Sequence, residues 1–210
     1  MFHREISAAV RSALANFKPE MPIRVLDLGC GDASMTLPWL AEKQVSSYTG
    51  CDLSQPALNI ARNQLEALKI PFQLICEDMI QVAAELPDSS IDVAFSSYAI
   101  HHLNTNNKQR LFGDISRLLN SGGCLILIDI FREVAEDRVA YMRNYMSCVR
   151  ERWTNLSSES LDLVINHAME YDFPEHPDFY AQQCISHAFN PGQRLAKHTW
   201  HEAWSFTKPK

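Results

Sequence analysis

The sequence predicts an α/β fold built on a mostly parallel sheet. Five short apolar segments recur between residues 23 and 128, most of them rich in β-branched residues. Amphipathic helical stripes fill intervals between them, and four of the five strand tips carry an aspartate. Strands buried on both faces read as continuous apolar runs, and strand–helix alternation of this length calls for right-handed βαβ units.

The elements follow in order. Residues 1–17, MFHREISAAVRSALANF, read as an amphipathic helix with Ile6, Val10, Ala13 and Phe17 on one face. Its early charges argue against a signal peptide. Strands are expected over Ile23–Leu28, Ser47–Asp52, Phe72–Cys76, Ile91–Phe95 and Cys124–Ile128. Leu58, Ala61, Leu65 and Leu68 share one helix stripe that Ser54 would cap. Leu111, Ile115, Leu118 and Leu119 make another, opened by Asn104 or Thr105 and stopped by Ser121-Gly122-Gly123.

After Asp129 the rhythm changes. Residues 131–187 hold two or three helices and no clear strand. Val139, Met142, Tyr145, Met146, Val149 and Trp153 lie on one helical face, and Leu161, Val164, Ile165 and Ala168 on another. Asp172-Phe173-Pro174-Glu175-His176-Pro177 breaks the pattern. Such an insertion after the last parallel strand sits where a lid belongs. Asn190-Pro191-Gly192 then turns into a late pair of strands, one over Gln193–His198 and one presenting Trp200, Trp204 and Phe206 on a single face.

Composition narrows the function. The chain has 210 residues, 46% of them hydrophobic and 21% charged, and needs no disulfide staple. Its net charge of −6, without Lys/Arg runs, disfavours nucleic acid and anionic membranes as partners. No apolar run approaches the roughly 20 residues that span a bilayer. Six scattered cysteines suggest free thiols in a reducing cytoplasm. Eight histidines without HExxH-type spacing give no reason to expect a metal. A small-molecule substrate is expected, with monomer and homodimer both open.

Ligands of open α/β sheets bind outside the carboxyl ends of the strands. The first strand ends in Asp27-Leu28-Gly29-Cys30-Gly31-Asp32, the second in Cys51-Asp52-Leu53, the third in Cys76-Glu77-Asp78-Met79, the fourth in Ser96-Ser97-Tyr98, and the fifth in Asp129. Two glycines alone are a weak dinucleotide signal, and Ser34 stands where a third would be. Asp27 and Asp32 flank the glycine turn and would repel a pyrophosphate. They suit a cationic ligand such as S-adenosylmethionine, which has an ammonium and a sulfonium but no phosphate. Asp52 would accept from its ribose hydroxyls and Asp78 from its adenine amino group.

The run Val25-Leu26-Asp27-Leu28-Gly29-Cys30-Gly31-Asp32-Ala33-Ser34 resembles the first motif of class I S-adenosylmethionine-dependent methyltransferases. Gly50-Cys51-Asp52-Leu53-Ser54, Cys76-Glu77-Asp78-Met79, Ile91–Leu103 and Leu118–Gly123 resemble the family's later motifs and come in its order. The resemblance covers about residues 20–130. It implies a Rossmann-like seven-stranded sheet with helices on both faces and strand seven antiparallel between five and six. It also implies that Gly29, Gly31 and the backbone near Asp27 hold the methionine end, with Cys30 among the cofactor-site residues, that Asp52 and Leu53 hold the ribose and adenine and Asp78 and Met79 the adenine, and that Ser96 lies beside the methionine portion.

The expected organisation is therefore an N-terminal helix (1–20) closing over the cofactor site, a cofactor-binding core (21–130), a helical lid (131–187) and a C-terminal strand pair (188–210). Histidine suits proton removal near neutral pH, so His101 and His102 are candidate bases. Asp129 is a third catalytic candidate, and Tyr98, Tyr141, Arg143 and His167 are candidate substrate contacts. The expected activity is methyl transfer from S-adenosylmethionine to a small-molecule nucleophile. An NAD-dependent oxidoreductase on a similar sheet and a non-catalytic cofactor-binding scaffold or regulatory protein are the alternatives.

Overall fold

A computed structural model describes residues 3–18 and 21–210. The order is α1 (His3–Ala15), β1 (Ile23–Leu28), α2 (Leu37–Leu40), β2 (Val45–Cys51), α3 (Gln55–Leu68), β3 (Phe72–Ile75), α4 (Met79–Glu85), β4 (Ile91–Ser97), α5 (Thr105–Leu118), β5 (Leu119–Ile130), α6 (Arg138–Arg152), α7 (Ser158–Tyr171), α8 (Pro177–Ser186), β6 (Gln193–His198) and β7 (His201–Thr207). A 3₁₀ turn at Ile100–His102 follows β4. The seven strands lie in the order β3-β2-β1-β4-β5-β7-β6. β1 to β5 are parallel, and β7 runs antiparallel to both β5 and β6. This is the Rossmann-like sheet that the sequence predicts.

Local chemistry explains the helix starts. Ser54 caps α3 by accepting from the Ala57 amide at 3.3 Å, with Pro56 in the first turn where its missing N–H costs nothing. Asn104, rather than Thr105, caps α5 by accepting from the Asn107 amide at 2.9 Å. Ser121-Gly122-Gly123 does not form the expected turn outside the strand. β5 begins at Leu119 and carries these residues as an irregularity, with Ile91 opposite Leu119 and Val93 opposite Cys124. Gly122, at φ +70°, lets the strand bulge there.

Two apolar layers flank the sheet. One gathers Leu26, Leu28, Leu111, Phe112, Ile115, Leu125 and Leu127 with Tyr180 and Cys184 of α8. The other gathers Ile23, Val25, Phe95 and Ile126 with Ile6, Val10 and Leu14 of α1. The expectation that the N-terminal helix closes over the cofactor site is corrected here. Its buried stripe is Ile6, Val10 and Leu14, with Ala13 exposed, and this stripe lies on the sheet layer beside α2, β6 and β7. The insertion is also divided. α6 and α7 pack on each other through Tyr141, Met142, Met146, Val149, Ile165 and Ala168, whereas α8 belongs to the main core. Trp200, expected on the face of the last strand, sits in the β6–β7 turn against Tyr145.

Candidate functional site

A cavity of about 880 Å³ opens at the carboxyl ends of β1, β2 and β4. Its first wall is the glycine turn after β1. Gly29 (φ +69°) and Gly31 (φ +52°) both sit in the left-handed region. A Cβ on Gly29 would fall 2.3 Å from the Ala99 Cβ, so that glycine lets the turn and the loop after β4 touch. A Cβ on Gly31 would meet nothing within 4 Å, so that face of the turn is open.

The acidic tips are tied to this turn. The Asp52 carboxylate accepts from the Gly31 amide at 2.8 Å and from the Ser54 amide at 2.8 Å, bridging the tips of β1 and β2. Asp78 caps α4 by accepting from the Ile80 amide at 2.7 Å, and it also lines the cavity. Asp27 is 1% exposed and accepts from the hydroxyls of Tyr48, at 2.7 Å, and of Thr36. Burial pushes its carboxyl up to about 6 against the pull of the two hydrogen bonds, and Asp52 adds a further push. Leu53, largely exposed, and Met79 line the cavity beside these acids. Cys30 also lines it, but burial raises its thiol far above the ordinary value, which makes it a packing residue and not a nucleophile.

At the other end the walls are rings. Tyr98, His102, His167 and Tyr171 all line the cavity. The His167 ring lies 6.2 Å from that of His102 and 4.9 Å from that of Tyr171. Tyr98 holds φ +53°, an uncommon conformation for a bulky side chain, directly after the β4 tip.

Several expected site residues lie elsewhere. Ser96 is buried and donates to the Leu28 carbonyl at 2.9 Å; it ties β4 to β1, and Ser97 lines the cavity in its place. Successive side chains of a strand point to opposite faces, so a shift of one residue moves the role. His101 and Asp129 do not line the cavity. Asp129 is fully buried and grips His101 twice, with one oxygen 2.5 Å from Nδ1 and the other accepting from the backbone amide at 3.0 Å. Burial opposes a charged imidazole there, but the charge and hydrogen bond of Asp129, with Asp172 beyond, hold His101 above the ordinary histidine value. Tyr141 is buried in the α6–α7 layer, and Arg143, two positions on, points outward. Neither reaches the cavity.

The structure adds residues that the sequence reading passed over. Thr36, Ser97, Ala99, Leu103 and Tyr171 line the cavity. Asp172, the C-cap of α7, lies 3.1 Å from His102 Nδ1 and 3.7 Å from His101 Nε2. Tyr171 lies one turn after His167, a spacing that could have marked it. For Asp172 no sequence signal existed.

Comparison with known proteins gives a consistent picture. A family model described as a methyltransferase domain matches residues 25–123. The carboxy-S-adenosyl-L-methionine synthase of Actinobacillus succinogenes is 31% identical over 113 residues, covering 52% of this chain and 45% of that protein. An uncharacterized methyltransferase of Geobacillus is 30% identical over 142 residues, covering 67% of this chain and 62% of its own. The chain spans about half the length of the first of these relatives. Among solved structures, the YcgJ protein of Bacillus superposes with a TM-score of 0.69 at 14% identity, over 99% of this chain and 100% of that one. A Burkholderia thailandensis 1,6-didemethyltoxoflavin-N1-methyltransferase, solved with its substrate and S-adenosylhomocysteine, gives 0.64 at 15% identity, over 99% and 78%.

Proposed function

The chain belongs to the class I S-adenosylmethionine-dependent methyltransferases, and from that premise we propose that it methylates a small-molecule nucleophile bound between α7 and the tip of β4. One observation carries the proposal: a single cavity joins an acidic, glycine-lined end to an end walled by the rings of Tyr98, His102, His167 and Tyr171. Five lining residues are carboxylates (Asp27, Asp32, Asp52, Glu77 and Asp78) and none is Lys or Arg. That set suits a cation-bearing nucleoside and opposes a pyrophosphate, which disfavours a nicotinamide dinucleotide.

S-adenosylmethionine, when bound, supplies a methyl group already activated by a positive sulfur. The residues of this chain then hold, orient and exclude water. The open face of Gly31 would admit the methionine end, with Asp27 facing its ammonium. Asp52 would accept from the ribose, and Leu53, Asp78 and Met79 would border the adenine. The ring-walled end would keep the acceptor aligned and dry, which is where most of the rate enhancement of such a transfer arises. Helix α7 contributes two of those rings, so the insertion acts on the acceptor while α8 anchors it to the core.

A net charge of −6 and the absence of basic lining residues favour a small acceptor over a polyanion. Free cysteines throughout fit a reducing cytoplasm, and among the described residues no helix is long and apolar enough to cross a membrane. The test is incubation with methyl-labelled S-adenosylmethionine against a metabolite panel and against RNA and DNA. Labelling of a small molecule is expected, and faster labelling of a nucleic acid overturns the reading. Asp52→Ala should weaken cofactor binding by about 1–3 kcal/mol, because it removes a charged acceptor and unties the glycine turn. Calorimetry on a variant with unchanged circular dichroism checks this, and undiminished affinity would remove Asp52 from the site.

A further inference from the structure

We propose that His101, His102 and Asp172 form a binding site for a divalent transition-metal ion of the zinc type behind the acceptor end of the cavity, which His102 alone of the three lines. One ring nitrogen from each of His101 and His102 and a carboxylate oxygen of Asp172 all lie within 4.8 Å of one another. The two separations that involve Asp172 are 3.7 and 3.1 Å. Zinc–nitrogen and zinc–oxygen bonds of about 2.1 Å in a tetrahedron put neighbouring donors roughly 3.4 Å apart, between those two values.

Two independent features point to a cation at this spot. First, Asp172 is 6% exposed, and its Oδ1 accepts no hydrogen bond of good geometry despite the two imidazoles beside it. A buried carboxylate oxygen left that way is costly unless a positive charge meets it. The guanidinium and ammonium groups nearby are committed elsewhere: Lys108 donates to the Phe173 carbonyl and lies 3.9 Å from Glu175, Arg132 lies 3.4 Å from Glu175, and Arg138 donates to the Asp172 and Met169 carbonyls.

Second, Asp129 stands behind His101 as the outer carboxylate of a carboxylate–histidine–metal arrangement. Its contact at Nδ1 directs the other ring nitrogen, Nε2, toward Asp172 as a lone-pair donor. The ligands are also held in place. The Phe173 amide donates to the His101 carbonyl at 2.7 Å, and Arg138 donates to the Asp172 carbonyl at 2.7 Å. Three protein donors leave a fourth position, and His102, half exposed, faces the cavity. Three ligands with one open position is the pattern of a working site and not of a structural clip.

The test titrates zinc into the full chain after chelator treatment, by calorimetry and without S-adenosylmethionine, so that its outcome is separate from the cofactor reading. A Cys76→Ser background removes the one exposed thiol among the free cysteines. One-to-one binding is expected, along with the visible absorption of four-coordinate cobalt when cobalt replaces zinc. Asp172→Asn should weaken zinc by more than about 100-fold, and Asp129→Asn by about 10–100-fold. His102→Ala is the second ligand variant; its ring is half exposed, so the fold should tolerate the change, and circular dichroism verifies it. Absence of saturable binding overturns the proposal. So does binding of full strength in His102→Ala and Asp172→Asn, which would locate the ion elsewhere.

Discussion

Gly29→Val is expected to abolish detectable S-adenosylmethionine binding, whereas Gly31→Ala should keep the fold and lose about tenfold in affinity. The two glycines sit two residues apart in one left-handed turn, yet they fail for different reasons. At Gly29 (φ +69°) a new Cβ collides with the Ala99 Cβ at 2.3 Å and touches Met79 Cε at 3.4 Å. A left-handed residue with a side chain costs about 1–2 kcal/mol, and forced overpacking about 1–3 more. The turn or the loop at Tyr98–Ala99 must therefore move, and both belong to the cavity wall. At Gly31 (φ +52°) the new methyl meets no protein atom within 4 Å. It pays only the conformational strain and occupies space that the ligand needs. Thermal melting and calorimetry on both variants separate the effects. Gly31→Ala binding as tightly as the unaltered chain would mean that the methionine end lies elsewhere.

The legible part of this protein is the part governed by short-range rules. Five apolar runs and two capped stripes sufficed for the core, because buried parallel strands and their helices carry their pattern within a few residues. Asp52, Asp78 and the glycine turn were legible for the same reason: they stand at strand tips, and the tips define the crevice. Ser54 caps α3 as its position predicts, and Asp52 clasps Gly31 from the next strand tip.

Side-chain direction separates neighbours that the sequence pattern cannot. Ser96 and Ser97 are equivalent as sequence, but the pleat turns one inward to Leu28 and the other to the cavity. His101 and His102 differ likewise: the 3₁₀ turn buries the first on Asp129 and leaves the second at the wall. Longer-range pairings left no trace. Asp172 meets His102 from seventy residues away, and Tyr180 of α8 packs against Phe112 and Phe131 of the core, so the apparent lid is partly foundation. Helix α1 shows the same limit, because amphipathicity reveals that a face is buried but not against what.

The pH dependence of cofactor affinity should trace to Asp27. Its carboxyl ionises near 6 in the folded protein against an ordinary 3.8, chiefly because burial disfavours the charge. Without ligand the sign is clear. A raised carboxyl contributes stability that is fully present below 3.8 and is lost as pH rises through about 6, so at neutral pH the charged Asp27 leaves the fold about 3 kcal/mol short of what the protonated form would give. A cationic ligand reverses the balance, since an ammonium beside Asp27 favours the ionised form that burial penalises. S-adenosylmethionine affinity is therefore expected to be flat above about pH 7 and to fall by up to about tenfold per unit below 6. Asp27→Asn keeps the shape and the acceptor for Thr36 and Tyr48 but removes the charge. It should raise the stability of the free protein at pH 7, weaken the cofactor there, and flatten the affinity profile between pH 5 and 7. Calorimetric titrations over that range, paired with urea melts of the ligand-free protein, measure both halves. An unaltered affinity slope in Asp27→Asn would assign the ammonium to another carboxylate of the cavity, with Asp32 next in line.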